Sequence, residues 1–249
     1  MGVFGQGFVG KLAFPSANVS DRIEKTFTSV NFNMMIMVIY ALITIAIFGM
    51  WYYARYEGNF LPSPKKTSNP MMLVAIVILV PGTQFAANFI ANLTGYIRPD
   101  WLQQYNELFE TSGITDTTFV TVLYSVILAP ICEELIFRGV TMRCARKALP
   151  FALANLMQAA LFGLFHLNWI QGIYAFALGI VLGYVCECGG SIYYSMGLHM
   201  LFNLWGTLSG FFPDPGNSVV VFVVVIVVTI VSLVVGFVLF NKGRRKLPI

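Results

Sequence analysis

The sequence predicts an all-α, polytopic membrane protein, a bundle of about seven transmembrane helices. Three observations lead to this fold class. Of the 249 residues, 57% are hydrophobic and only 10% are charged, a balance typical of integral membrane proteins. The apolar residues also fall into runs that approach or exceed the length of about 20 residues that a spanning helix needs.

Seven runs qualify as spans: 33–53, 71–92, 118–142, 149–167, 170–187, 190–211 and 218–240. Turn-forming residues separate several of them, namely LPSP at 61–64, Pro150, the Gly189-Gly190 pair and FPDPG at 212–216. The last run is apolar on every face, and we expect it to contact lipid. We therefore divide the chain into an N-terminal segment with two helices (1–117), a core (118–211), and a last helix with a basic tail (212–249).

The basic residues predict the orientation in the membrane, because Lys and Arg collect on alternate connections. Ten lie on one side: Arg55, Lys65, Lys66, Arg143, Arg146, Lys147, Lys242, Arg244, Arg245 and Lys246. We expect that side to be the cytoplasm, with the carboxy terminus inside and the amino terminus outside a bacterial plasma membrane. The net charge of +4 then reflects topology, and we predict a lipid bilayer but no nucleic acid as a partner.

The segment APICEELIFRGV, residues 129–140, places Glu133, Glu134 and Arg138 inside the third apolar run. A charge at the bilayer centre costs about 2.5 to 3.5 kcal/mol, so such residues suggest a function. Glu134 precedes Arg138 by four residues, which favours an ion pair, whereas Glu133 points about 100° away around the helix. Pro130 has no N–H, so we expect a kink that leaves backbone carbonyls for a cavity or a neighbouring group to satisfy, and a local opening beside Glu133.

Two further pairs of residues are spaced four apart in apolar runs, Phe162 with His166 and His199 with Asn203. Glu133 and His166 both lie about 24 Å along a helix from the turn at Pro150, at 1.5 Å per residue. We therefore expect these two side chains to lie at one depth and to meet. These polar groups indicate either an active site or interhelical hydrogen bonding.

The residue types favour peptide hydrolysis by an activated water. A carboxylate beside a neutral imidazole can hold and deprotonate a water, which suits Glu133 and His166. An Asn amide and a His N–H can stabilise the developing oxyanion, which suits His199 and Asn203. A proton-coupled transporter stays open, because intramembrane Glu and His also serve as proton relays.

Three motifs in this order resemble the signatures of the CAAX protease and bacteriocin-processing (Abi) family of intramembrane endopeptidases: Glu133-Glu134-x-x-x-Arg138, Phe162-x-x-x-His166 and His199-x-x-x-Asn203. The resemblance covers roughly residues 118–206, the intramembrane protease core. It implies an all-helical fold and cleavage of membrane-associated substrates, which are prenylated CAAX proteins in some relatives and bacterial peptides in others.

The resemblance also implies a role for each motif residue. It implies that Glu133 and His166 activate water and that His199 and Asn203 stabilise the oxyanion. The remaining motif residues become supporting residues: Glu134, Arg138 and Phe162. A non-catalytic immunity protein or peptide-binding membrane protein stays open as an alternative.

We expect no cofactor, since the glutamate mechanism of this family needs no metal. Zinc is the alternative, because Glu133, His166 and His199 could supply three ligands with water as the fourth. The chain lacks the His-Glu-x-x-His arrangement of most zinc peptidases, which favours the metal-free mechanism.

Overall fold

The computed structural model describes residues 30–55, 69–112, 118–209 and 218–244, and the regular structure in these ranges is helical. The all-α prediction is therefore confirmed for them. The described ranges contain eight helices: α1 (Val30–Arg55), α2 (Pro70–Ile97), α3 (Pro99–Ser112), α4 (Phe119–Ala145), α5 (Phe151–Phe165), α6 (Trp169–Gly189), α7 (Ile192–Ser209) and α8 (Val219–Arg244). The predicted turns LPSP and FPDPG lie outside the described residues.

Five of these helices, α1, α2, α4, α6 and α8, contain stretches long and apolar enough to cross a bilayer. They identify an integral, multi-pass membrane protein. The 15 residues of α5 span only about 22 Å at 1.5 Å per residue, less than a hydrocarbon core of about 30 Å. Helix α7, which carries His199 and Asn203, is not among the five. The count of seven spans stays a prediction.

Helix α8 packs along α2 through a face of small residues. Gly236 lies directly against Leu79, and a Cβ at this glycine would come within 2.6 Å of the leucine side chain. Small residues of this kind let membrane helices approach closely. The sequence predicted that α8 is apolar on every face and contacts lipid, but one of its faces packs against α2. That face could not be recognised from the sequence, because Gly and Ser do not stand out in an apolar run. The small residues of that face are Ser232, Gly236 and Gly243, and Phe240 is buried beside them.

Pro81 interrupts the backbone hydrogen bonding of α2, and α8 compensates for it. The Ser232 hydroxyl accepts a hydrogen bond from the Gly82 N–H at 2.9 Å and donates one to the Ile78 carbonyl. A proline in a membrane helix is tolerated when a neighbouring side chain satisfies the freed backbone groups. Ser232 does so here.

Helices α5 and α6 form a tight antiparallel hairpin. A Cβ added to Gly163 would lie 2.5 Å from the Gly172 carbonyl oxygen, so only glycine fits this approach. The chain turns at Leu167, whose φ of 53° is uncommon for a residue other than glycine. Asn168 then caps α6 by accepting the Gln171 N–H at 3.1 Å. His166, at the end of α5, is thus held close to the start of α6.

Helix α3 supports the same end of α6. Arg98 donates two hydrogen bonds to the Asp100 carboxylate, at 2.9 and 2.6 Å, and these bonds lower the pKa of Asp100. The Arg98 guanidinium also lies 4.3 Å above the Trp101 ring. Trp101 stacks on Trp169, with ring centroids 5.3 Å apart. Helix α3 therefore packs beside the turn that follows His166.

The close α5–α6 contact predicts that Gly163→Ala lowers the free energy of unfolding by about 1–3 kcal/mol, as overpacking commonly does. The reason is that the new methyl group meets a backbone carbonyl, which cannot rotate away. Thermal unfolding in detergent measures the loss. Gly197→Ala is the matched control, because nothing lies within 4 Å of a Cβ at that glycine. Equal stability of the two variants would contradict the packing account.

Candidate active site

Helix α4 changes its hydrogen-bonding register twice around the two glutamates. Its stretches Leu123–Leu128 and Leu135–Met142 are π-helical, and the six residues between them, Ala129–Glu134, are α-helical. Short π-helical insertions are rare and frequently occur at functional sites. Glu133 and Glu134 are the last two residues of the α-helical stretch.

Glu134 is fully buried and joins two basic side chains. Its Oε1 accepts from an Arg138 guanidinium nitrogen at 2.8 Å and from His199 Nδ1 at 2.9 Å. The ion pair expected from the spacing of Glu134 and Arg138 is present, with both side chains 0% exposed. Arg138 also donates to the Gly179 carbonyl at 3.3 Å and lies 4.5 Å over the Phe162 ring. Four helices, α4, α5, α6 and α7, therefore meet at this charged cluster.

Glu133 approaches the opposite nitrogen of the same imidazole. Its Oε2 lies 3.5 Å from His199 Nε2, and its side chain is 17% exposed. The carboxylate lines a cavity with Tyr40, Ala41, Tyr124, Ala129, Cys132, Ile136 and Phe165. Of the two glutamates, Glu133 is thus the one that a molecule in the cavity can reach.

Helix α1 forms one wall of this cavity. The Cys132 thiol donates to the Ala41 carbonyl at 3.2 Å, which holds α1 against α4 one residue before Glu133. Tyr40, the neighbour of Ala41, lines the cavity from α1. The cavity therefore lies between the first apolar helix and the motif-bearing helix α4.

The hydrogen bond between His199 and Glu134 indicates which ring nitrogen of His199 carries a proton. The Glu134 carboxylate, paired with Arg138, is an acceptor, so Nδ1 of His199 carries the proton in that contact. Nε2 then carries a proton only when the imidazole is in its cationic form. His199 can accept at Nε2 when neutral and can donate from Nε2 when charged.

His166 ends helix α5 and folds back onto it. Its Nδ1 lies 2.8 Å from the Phe162 carbonyl oxygen, and because a carbonyl only accepts, Nδ1 is the donor. In the neutral ring Nε2 is therefore an acceptor. The Phe162 ring contacts both histidines edge-on, with centroid distances of 4.9 Å to His166 and 5.7 Å to His199. The three motifs thus meet around Phe162.

The structure differs from the expected meeting of Glu133 and His166. Among the described residues, the imidazole within ion-pair distance of Glu133 belongs to His199, and no hydrogen bond or ion pair links Glu133 to His166. Counting residues along a helical hairpin gives the depth of a side chain but not its direction. Which histidine faces which glutamate depended on the register of α4, which the sequence did not reveal.

Asn203 is anchored on the first π-helical stretch of α4. Its Nδ2 donates to the Ser125 carbonyl at 2.8 Å, which leaves the second N–H of the amide for another acceptor. Ser125 was not foreseen as its partner. The available signal was Pro130, which predicted an unpaired carbonyl in this part of the helix without indicating which one.

The three candidate zinc ligands do not converge in this arrangement. Glu133 contacts His199, but among the described residues no hydrogen bond or ion pair links Glu133 to His166, whose Nε2 stays free while Nδ1 bonds the Phe162 carbonyl. In the ranges that the structure describes, no three His, Cys, Asp or Glu side chains are grouped as a metal site. We therefore derive no catalytic step through zinc, and the metal-free mechanism stays a prediction.

Residues 115–205 match the family model described as type II CAAX prenyl endopeptidase, Rce1-like. This segment is similar to the Rce1-like family. It covers a little over a third of the chain and contains all seven candidate residues. The resemblance to CAAX proteases is confirmed, and the Rce1-like family is one of peptidases. No curated protein and no solved structure matches the chain. The three-part division of the chain and the role of each site residue stay predictions.

The buried ion pair predicts that Arg138→Met destabilises the protein by about 3–5 kcal/mol, because it leaves a buried Glu134 charge without its partner. The double variant Glu134→Gln, Arg138→Met should lose less than the sum of the single losses. Unfolding in detergent gives both values. Arg98→Met, which breaks the exposed pair with Asp100, is the control and should change stability little. Additive losses at Glu134 and Arg138 would contradict the pairing.

Proposed function

We propose that this protein is an intramembrane endopeptidase that hydrolyses peptide bonds in membrane-associated proteins or peptides. One observation carries the proposal. Two adjacent glutamates contact opposite nitrogens of one imidazole, and of the two, Glu133 lines the cavity between α1 and α4 whereas Glu134 is fully buried. Such a difference in environment commonly separates a reactive carboxylate from a supporting one.

In this mechanism Glu133 is the general base. It accepts a proton from a water in the cavity while the water oxygen bonds to the carbon of the scissile carbonyl, whose π electrons move onto oxygen. His166 directly follows Phe165, which lines the cavity, and in this proposal it orients the water through Nε2, the acceptor of its neutral ring. Glu134 does not contact the substrate and instead holds His199 in place, with its own charge balanced by Arg138.

The oxyanion is stabilised by Asn203 and His199. Asn203 supplies the amide N–H that is not used on Ser125, and cationic His199 supplies Nε2–H. When the tetrahedral intermediate collapses, the carbon–nitrogen bond breaks and the leaving amine takes the proton held by Glu133. The products are a carboxylic acid, which keeps the second proton of the water, and an amine; transfer of that proton gives the carboxylate and the ammonium form. Removing one oxyanion donor typically costs about 10²–10³ in kcat.

The family description supports CAAX-type substrates, and the location of the site inside apolar helices supports a substrate held at the membrane. We further propose a bacterial plasma membrane with the carboxy terminus in the cytoplasm, on the distribution of Lys and Arg. A proton-coupled transporter and a non-catalytic immunity protein are the alternatives that the following experiment separates from a peptidase.

The test is cleavage of a library of membrane-tethered peptides, prenylated and unprenylated, by the purified full-length protein in lipid nanodiscs. We expect Glu133→Gln to lower kcat at least about 100-fold, because an amide cannot accept the proton. His166→Ala should also lower kcat. Glu187→Gln is the matched control, because Glu187 pairs with Arg146 at the surface, at 3.0 Å, and should leave kcat unchanged.

Each assay is run with and without a zinc chelator. Activity that survives chelation and is lost in Glu133→Gln supports the water mechanism. Loss of activity on chelation, with recovery on added zinc, would replace that mechanism by a metal-dependent one. Peptide binding without cleavage by any form would favour the immunity protein, and unchanged cleavage by Glu133→Gln would overturn the assignment of Glu133.

A further inference from the structure

Pro130 stands where helix α4 returns from π-helical to α-helical hydrogen bonding. The residue before it, Ala129, donates its N–H to the Tyr124 carbonyl, five residues back. In the same register the donor for the Ser125 carbonyl would be residue 130. Proline has no N–H, so no backbone N–H is available at residue 130 to bond the Ser125 carbonyl.

Asn203 supplies the missing hydrogen bond from another helix. Its Nδ2 lies 2.8 Å from the Ser125 oxygen, while Pro130 itself is buried within α4. Ordinary helices leave interior carbonyls paired along the chain, so a side chain seldom finds one available. The absence of an N–H at residue 130 is what gives the Asn203 amide a fixed partner.

We propose that Pro130 is a positioning residue that orients the Asn203 amide for the oxyanion by withholding the backbone N–H that would compete for Ser125. The inference rests on the proposed function, in which Asn203 is an oxyanion donor. One N–H of the amide is bound to Ser125, and this bond fixes the direction of the other. With alanine at residue 130, a backbone N–H competes for the Ser125 carbonyl, and the amide is released.

The second intrahelical proline gives a matched comparison. Pro81 of α2 is compensated by the Ser232 hydroxyl of α8, and neither residue belongs to the site. Replacing either proline by alanine makes the same chemical change in a membrane helix. Only the change at residue 130 acts on a candidate catalytic side chain.

The experiment measures kcat, KM and thermal stability for the wild type, Pro130→Ala, Pro81→Ala, Asn203→Ala and the double variant Pro130→Ala, Asn203→Ala. Alanine is a much better helix former than proline, so Pro130→Ala should not lower the melting temperature. Its kcat should nevertheless fall about 10- to 100-fold, as expected when a catalytic group is misplaced, with KM within about twofold. Pro81→Ala should keep wild-type kcat.

A lower kcat in Pro130→Ala without a lower melting temperature identifies a positioning role, because a substitution that only disturbs packing lowers both quantities. Stability also gives a readout that does not depend on cleavage. Asn203→Ala should lower the melting temperature less in the Pro130→Ala background, where the new N–H satisfies Ser125, than in the wild type.

Three results would overturn the inference. They are wild-type kcat in Pro130→Ala, equal losses of kcat in Pro130→Ala and Pro81→Ala, and additive effects of Pro130→Ala and Asn203→Ala on the melting temperature. If no form cleaves any peptide, the proposed function fails, and the stability comparison still decides whether Pro130 and Asn203 act together.

Discussion

The arrangement of the site depends on one carboxylate oxygen, Oε1 of Glu134, which joins Arg138 to His199. Each partner is costly to bury alone, and the carboxylate of Glu134 offsets the charge of Arg138 in a medium without water. Because Arg138 extends to Gly179 and Phe162, the same interaction fixes α5, α6 and α7 around α4. The histidine that Glu133 contacts is thereby held in one orientation.

The two neighbouring glutamates differ because a helix separates adjacent side chains by about 100°. The imidazole of His199 is wide enough to span that difference, with Nδ1 facing Glu134 and Nε2 facing Glu133. One carboxylate is buried by its partners, and the other keeps a path to the cavity. Within α4, the π-helical stretches on both sides set the direction of the pair, and Pro130 lies at the boundary of the first.

The sequence was sufficient for features that depend on local spacing. It predicted the apolar helices, the pairing of Glu134 with Arg138 and an unpaired carbonyl near Pro130, since each follows from helical periodicity or from the missing N–H of proline. It did not predict the contact of Glu133 with His199 or that of Asn203 with Ser125. Both contacts depend on how α4 is rotated about its axis relative to α7. The π-helical stretches change that rotation, and the residue types give no visible sign of where such stretches occur.

Histidine NMR tests the central claim most directly, because the chain contains only two histidines. With ¹⁵N-labelled histidine, the spectrum of the His166→Gln variant reports on His199 alone, and the neutral ring should carry its proton on Nδ1, as the hydrogen bond to Glu134 requires. A neutral His199 protonated on Nε2, with Nδ1 bare, would contradict that hydrogen bond and with it the proposed division of roles between Glu133 and Glu134.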